Sequence, residues 1–449
     1  MKRYDFVAIG GGNAGLSAAA KIAGAGHKTA LIDKGAVGGL CSLNGCNPKK
    51  VFVRTTELLN EIRHAAKFGI DVVAPTVDWA RVIERKESFT SPVTAQTEAS
   101  LKEQGIDLIQ GSPKFVSRNA VEVNGEYVEA GAFVIATGSY PRALEFQGAE
   151  LAKISDDILA VREIPKSLVI IGAGVVAFEF GQVFARLGSR VTMLVRSDRA
   201  LAGEDEDMVD ALVEFSKKLG INIITQATPH SIVRQSADLL IEFEAAGKTE
   251  STAADFVLNA AGRVPSIDTL ALDKAEVETS KRGIVVTDFL RSTSNPNIFA
   301  AGDAQGRLQL SPVASYEGRV VAKNFLENDV ERADYEAIPR ALYTIPPLAS
   351  VGVTEAEARK RGLDVNITNS EMTNWKVNAI IEGGEPARAK IITEKASNRI
   401  VGAHIWGANA GDNINLFALA IKYKIPADDI KNMIFAYPTL ASALPYTIG

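Results

Sequence analysis

Residues 4–33 read YDFVAIGGGNAGLSAAAKIAGAGHKTALID, and their pattern decides the fold of the first part of the chain. The apolar run Tyr4–Ile9 predicts a strand. Glycines at 10, 12 and 15 break it, an alanine-rich stretch predicts a helix, and Thr29–Ile32 predicts a second strand that ends in Asp33. Strand, turn, helix and strand within about 30 residues, with GxGxxG at the turn, read as a dinucleotide-binding unit. The glycines let the backbone approach a pyrophosphate, which sits where free N–H groups open the helix. Asp33 stands 18 residues after Gly15, where a carboxylate accepts from a ribose hydroxyl.

The pattern returns at Ser167–Ala185, SLVIIGAGVVAFEFGQVFA, with Gly172 and Gly174 repeating Gly10 and Gly12 at an offset of 162. Ala177 replaces the third glycine, and the strand Arg190–Val195 ends in Arg196 rather than an acid. An acid there repels a ribose 2′-phosphate, whereas an arginine attracts it. Arg199 is near enough in sequence to assist. The first unit therefore suits a cofactor with a free ribose, and the second suits NADPH ahead of NADH. Two such units in one chain suggest a flavoprotein that takes hydride from a nicotinamide.

The chain has 449 residues, enough for about three domains. Its composition, 46% hydrophobic and 23% charged, is that of an ordinary globular protein. A net charge of −5 gives no reason to expect nucleic acid as a partner. No apolar run approaches the roughly 20 residues that span a bilayer, so no membrane association is expected. Lys2 and Arg3 precede apolar residues, but the run is short and broken by glycines, which reads as mature protein, not a signal peptide. The acidic run Glu204–Asp207 reads as a solvated face. With only two cysteines, the chain is not a secreted disulfide scaffold, and a cytoplasmic location is expected.

Both cysteines fall in GGLCSLNGCNPKK, residues 38–50. Positions five apart on a straight helix are separated by about 7.5 Å, beyond the roughly 6.8 Å that a disulfide tolerates. Gly45 and Pro48 permit a bend with a helix starting behind it, which would put Cys46 near N–H groups that favour a thiolate. Zinc needs about four ligands. The chain offers no other cysteine and only the scattered His27, His64, His230 and His404. A redox pair is the reading preferred over a metal site or inert core cysteines.

Between the glycine units, Ile106–Val134 reads as a β-meander leading into VIATGSYPRA. After the second unit come VLNAAGRVPS, and then NIFAAGDAQGRLQLSPVASYEG, in which strand Asn297–Ala300 feeds Gly302-Asp303. A helix follows with Ser311 as N-cap and Pro312 at its first position. Beyond about Asp334, strands (Lys390–Thr393, Ile400–Ile405) alternate with amphipathic helices (Thr354–Arg361, Asn413–Tyr423).

In this order, GGLCSLNGCNPKK, the two glycine motifs, ATGS (136–139), AAGRVPS (260–266), AAGDA (300–304) and PPLASVGVTEAEA (346–358) resemble the flavin- and pyridine-nucleotide-dependent disulfide reductases. That family includes glutathione reductase, dihydrolipoamide dehydrogenase and mercuric reductase, and the resemblance covers nearly the whole chain. It implies an α/β fold with two Rossmann-like domains, for FAD and NAD(P), plus a C-terminal α+β dimerisation domain. The expected divisions are 1–150 and 275–333 for the FAD domain, 151–274 for the NAD(P)H domain and 334–449 for the homodimer interface. It also implies that electrons pass from NADPH through FAD to the cysteines. Cys46 would be the thiol beside the flavin and Cys41 the outer thiol that attacks substrate. Lys49 matches the family lysine near flavin N5, and Glu179 its acidic partner. FAD contacts are expected from Gly10, Gly12, Asn13, Ala14, Gly15, Asp33, Lys34, Gly39, Lys50, Thr137, Gly138, Gly302, Asp303, Ser311 and Pro312. NADPH contacts are expected from Gly172, Gly174, Val175, Arg196, Arg199 and Gly262.

The resemblance breaks near the C-terminus. The disulfide reductases of the family carry His-Pro-Thr-x-x-Glu there, whereas residues 437–442 read Tyr-Pro-Thr-Leu-Ala-Ser. The histidine serves as acid–base partner of the outer thiol. A tyrosine, with an ordinary pKa of about 10, donates a proton but is a poor base at neutral pH. Turnover is therefore expected to rise towards alkaline pH. No cysteine follows Cys46, which disfavours a typical mercuric reductase with its C-terminal cysteine pair. The leading expectation is an NADPH- and FAD-dependent reductase of a small disulfide or oxidised thiol. The alternatives are a reductase of metal ions, quinones or other electrophiles, and a weakly catalytic flavin-binding dimer.

Overall fold

The structure is a computed structural model that describes residues 1–449. The chain divides into two units. The first comprises residues 1–51, 83–143 and 262–334, and the second 52–82, 144–261 and 335–449.

The first unit is built on a seven-stranded sheet. Lys2–Ile9 lies at its centre, parallel to Thr29–Asp33 on one side and Glu126–Ile135 on the other, with Ile9 opposite both Ile32 and Ile135. Phe6, Ala8 and Val134 pack on one face, and Val7, Ile9 and Phe133 on the other. Burial on both faces explains the near-continuous apolar run of the first strand. The meander expected over 106–134 is only partly present. Lys114–Ser117, Ala120–Val123 and Glu126–Ile135 are antiparallel neighbours, but Asp107–Gln110 instead pairs in parallel with Thr29–Asp33. That register continues the βαβ sheet and buries Ile109 against its core.

Helix Asn13–Gly24 packs on helix Ser311–Glu327. The crossing is close because position 318 is glycine: a Cβ there would lie 2.3 Å from the Ala14 carbonyl oxygen. This approach brings Ser311 beside Asn13. The second helix starts one residue earlier than expected, with Leu310 as N-cap and Pro312 in its second place. Ser311 is then inside the helix, and its hydroxyl is not used in capping.

In the second unit, a parallel sheet orders Asn222–Thr225, Arg190–Val195, Ser167–Ile171 and Phe256–Asn259. A three-stranded antiparallel sheet spans 227–254. The C-terminal part is a five-stranded sheet carrying helix Ala410–Lys422. Helices there run Glu355–Lys360, capped by the Thr354 hydroxyl, and Ala410–Lys422, which starts three residues before the expected Asn413. The acidic run Glu204–Asp207 is not wholly solvated. Asp205 is buried, and the reason is Lys390, a buried cation on the neighbouring strand Arg388–Glu394 whose Nζ lies 2.8 Å from it. No helix is long and apolar enough to cross a membrane.

Candidate active site

The glycine turn sets the floor of a cleft of about 410 Å³ in the first unit, within the ~300–1,000 Å³ usual for small-molecule sites. Gly10 has φ +111°, and a Cβ there would lie 2.3 Å from the Ala136 carbonyl oxygen. Only glycine tolerates both demands. Gly12 is the N-cap of helix Asn13–Gly24 and supplies no side-chain cap, so the first N–H groups are open to an anion. Asp33 accepts from the Gly11 N–H at 2.5 Å and the Gly35 N–H at 2.8 Å while lining the cleft.

Gly10, Gly12, Asn13, Ala14, Gly39, Cys41, Cys46, Thr137, Gly138, Gly302, Asp303 and Ser311 line the same cleft with Asp33. Gly15 does not, because it lies beneath the turn against the Gly10 carbonyl. Lys34 and Lys50 are exposed and lie outside the lining, as do Gly262 and Pro312. Lys34 lies just past the strand end, and Pro312 is the second residue of its helix.

The bend at Gly45 separates a short helix, Gly39–Asn44, from a long one that begins at Cys46. Both cysteines are free thiols: Cys41 is half-buried and Cys46 exposed. Their sulfurs are in hydrogen-bond contact. That contact with Cys46 lowers the Cys41 thiol to about pKa 6, against the opposing effect of burial; the Ser311 hydroxyl and the Lys49 ammonium add to the lowering. The same contact pushes Cys46 up. The contact thus favours charge on Cys41, the thiol expected to attack substrate, whereas the helix start favours it on Cys46. The contact works against the expected alkaline rise, because it draws the ionisation of Cys41 down from the ordinary thiol range.

Asp303 accepts from the Ser139 hydroxyl at 2.6 Å, and burial raises its pKa. Arg263 clamps the same serine, through Oγ at 2.9 Å and the carbonyl at 2.6 Å. The sequence showed Ser139 and Arg263 inside motifs without singling out their side chains.

These features fit FAD. The Thr137 hydroxyl is buried and has no protein partner, which suits a ligand group. The uncapped glycine turn suits a diphosphate, and the N-terminus of helix Ser311–Glu327 suits the electron-rich edge of a flavin.

The other predicted residues belong to the second unit. Gly174 is the uncapped N-cap of helix Val175–Arg186, and a Cβ on it would meet open space. Val175 is 44% exposed, which leaves that turn accessible to a dinucleotide. Arg196 is exposed at the strand end. Arg199 is already committed to Asp210 at 2.6 Å and Glu206 at 3.8 Å. Glu179 is buried on helix Val175–Arg186 and accepts from the Tyr343 N–H at 2.8 Å. Tyr437 is 67% exposed. Ser442, in the place of the family glutamate, bonds to the Thr439 carbonyl at 2.6 Å and so does not orient Tyr437. His404 is buried, with Nε2 3.0 Å from the Val353 carbonyl oxygen, and offers no substitute base.

Two dinucleotide-type turns in one chain, with a dithiol lining the cleft of the first, define a flavin-type oxidoreductase that works through thiols. Residues 4–318 match the family described as pyridine nucleotide-disulphide oxidoreductase, and residues 338–447 match its dimerisation domain. The chain belongs to the pyridine nucleotide-disulphide oxidoreductase family, whose members use FAD and a pyridine nucleotide. It is 33% identical to the mercuric reductase of Staphylococcus aureus, over 98% of this chain and 81% of that protein. It is 36% identical to a dihydrolipoyl dehydrogenase of Bacillus subtilis, over 97% of this chain and 96% of that protein. Among solved structures, the Cu(II) complex of the HOCl-induced flavoprotein disulfide reductase RclA from Escherichia coli superposes with a TM-score of 0.89. That match has 25% identity and covers 100% of this chain and 99% of the other.

Proposed function

We propose that this chain is an NADPH-dependent FAD enzyme that reduces a low-molecular-weight disulfide or oxidised thiol through Cys41 and Cys46. The observation that carries the reading is the pair of contacting thiols in the cleft floored by the glycine turn. FAD, when bound, supplies two electrons from reduced nicotinamide to the oxidised pair. The rest is chain chemistry. The Cys41 thiolate attacks one sulfur of the disulfide, forming a mixed disulfide and releasing a thiolate. That leaving group takes the proton of Cys46. The Cys46 sulfur then displaces the second thiolate, and the Cys41–Cys46 disulfide closes. The substrate gains two electrons and the pair loses two. Gly10, Gly12, Asn13, Ala14, Asp33, Gly39, Thr137, Gly138, Gly302, Asp303 and Ser311 would hold FAD.

The C-terminal region would form a homodimer. Leu419, Tyr423, Ile434 and Tyr446 are all more than half exposed in the part of the chain that matches the dimerisation domain. The proposed domains keep the divisions 1–150 with 275–333, 151–274 and 334–449. A cytoplasmic location suits a chain of this length with only two cysteines.

A panel at fixed NADPH tests the reading, with disulfides of glutathione and coenzyme A set against Hg(II), Cu(II) and quinones. Turnover on a disulfide is the expected result; turnover on none of them would sink it. A metal-ion reading has its own support. Tyr437 replaces the usual acid–base histidine, relatives are named mercuric reductases, and the superposed structure is titled a Cu(II) complex. Turnover on Hg(II) or Cu(II) alone would favour it.

The nucleotide preference rests on Arg196, because Arg199 is held by Asp210 and Glu206. A charge-assisted contact contributes about 1.5–3 kcal/mol. Arg196→Ala should therefore raise KM for NADPH by about tenfold or more and leave KM for NADH within about twofold. Asp210→Asn should improve KM for NADPH by freeing Arg199. Steady-state kinetics with each nucleotide checks both.

A further inference from the structure

We propose that a polar row across the C-terminal sheet, Arg340, Ser350, His404, Lys390 and Asn369, positions the loop 196–203 and so sets the affinity for the pyridine nucleotide. The inference rests on the reading of the second glycine unit as the nucleotide site. The five residues come from five strands of the second unit: Arg340–Leu342, Leu348–Gly352, Arg399–Trp406, Arg388–Glu394 and Val365–Glu371. Each stands directly opposite the next. Arg340 pairs with Ser350, Ser350 with His404, His404 with Lys390, and Lys390 with Asn369. Residues paired in this way share one face of a sheet. Their chain neighbours, such as Ala349, Ile405 and Ala389, pack on the opposite side, in the core beneath helix Ala410–Lys422. Helix Glu206–Lys218 lies against the polar face, where Phe215 meets Trp406 edge-on with ring centroids 5.7 Å apart.

The row meets the acidic run Glu204–Asp207 from end to end. Arg340 Nε lies 3.6 Å from Glu204, and the Ser350 hydroxyl donates to Glu204 at 2.6 Å. Lys390 Nζ lies 2.8 Å from Asp205 and 2.6 Å from Asp207, and the Asn369 amide donates to Asp207 at 3.5 Å. His404, fully buried, fills the place between Ser350 and Lys390. Arg340 also donates to the Gly203 carbonyl at 3.4 Å, so the row reaches the loop backbone itself.

These contacts fix the far end of the loop. Its near end leaves strand Arg190–Val195 at Arg196. Its middle touches the glycine turn, where the Leu201 N–H donates to the Ala173 carbonyl at 2.9 Å. Arg199 is bonded to Asp210, on the helix whose N-cap is Asp205. The stretch bearing both arginines is therefore strung between the turn suited to a diphosphate and the polar row. An apolar face of the same volume would be no less stable, because burying charges is costly. Directional ion pairs and hydrogen bonds instead allow one seating of the acidic run, and with it one distance from Arg196 to the turn.

The test uses the FAD-loaded protein with NADP+ and NAD+ as probes. Kd is read by calorimetry, and KM and kcat by steady-state oxidation of the reduced nucleotides with a dye as acceptor. Arg340→Gln with Ser350→Ala releases Glu204. This double variant should raise Kd and KM for the preferred nucleotide by about three- to tenfold and keep kcat within about twofold. Lys390→Met with Asp205→Asn leaves no buried charge unpaired and should do the same. A purely structural role would lower the folded fraction, and so kcat, without moving KM. Trypsin gives a readout that needs no nucleotide: cleavage after Arg196 and Arg199, followed by mass, should quicken in both double variants. Unchanged Kd and KM in both, beside a wild type that binds nucleotide, overturn the inference alone. A wild type that binds neither nucleotide sinks the reading of the second glycine unit, and the inference with it.

Discussion

Cys41→Ser is expected to lose disulfide turnover by at least about a thousandfold while reduction of quinones or dyes by NADPH continues. A serine hydroxyl is not ionised at neutral pH and forms no mixed disulfide, so the first exchange step has no substitute. Cys46 cannot complete the cycle alone, because a mixed disulfide formed on it has no second thiol to displace the substrate half. Anaerobic titration gives a second readout. Wild type should accept about four electrons per chain, two for the flavin and two for the disulfide, whereas Cys41→Ser should accept about two. Cys46→Ser should differ in kind. It keeps the attacking thiolate, so one equivalent of disulfide should be trapped on Cys41 and be visible by mass. Full disulfide turnover in Cys41→Ser would remove the thiol pair from the mechanism. Loss of Hg(II) or Cu(II) reduction along with disulfide reduction would show that both substrates use the same sulfur.

The βαβ unit at Tyr4–Asp33 was legible because its signal is local. Apolar run, glycine spacing and terminal acid lie within one stretch, and both faces of the central strand are buried as its composition implies. The bend at Gly45 and the helix behind it were legible for the same reason. Contacts between distant segments were not. Nothing near Asn13 announces Ser311, and nothing in the run Glu204–Asp207 announces Lys390. Charge placement on the thiols was also out of reach of the sequence. A helix start favours a thiolate at Cys46, whereas the contact between the two sulfurs favours Cys41. Arg199 shows the same limit. Its position after the second glycine unit suggests phosphate binding, yet Asp210, one helix away, already holds its guanidinium.

Lys390→Met is expected to destabilise the chain by about 3–5 kcal/mol, the usual result of removing one partner from a buried ion pair. The Lys390 side chain is only 2% exposed, and its Nζ lies 2.8 Å from Asp205, 2.6 Å from Asp207 and 3.0 Å from Glu355. Burial, the largest single influence, pulls its pKa down, but hydrogen bonds to the carboxylates prevail and raise it. Methionine keeps the length and the apolar stem. It leaves the Asp205 carboxylate, also 2% exposed, buried without its cation. Asp207 and Glu355 are more exposed, and loss of their contacts matters less. The pH dependence follows from the carboxylates. The Lys390 hydrogen bond lowers Asp207; Arg359 first and Lys390 second lower Glu355. Groups with depressed folded pKa values stabilise above the ordinary carboxylate range and lose that contribution as pH falls. The deficit of Lys390→Met should therefore be full at neutral pH and shrink below about pH 4. Adding Asp205→Asn should recover a substantial part of it, because no buried charge is then left unpaired. Urea unfolding of the single and double variants at pH 7 decides the matter: a loss under about 1 kcal/mol would mean that water reaches Asp205 when Lys390 is gone.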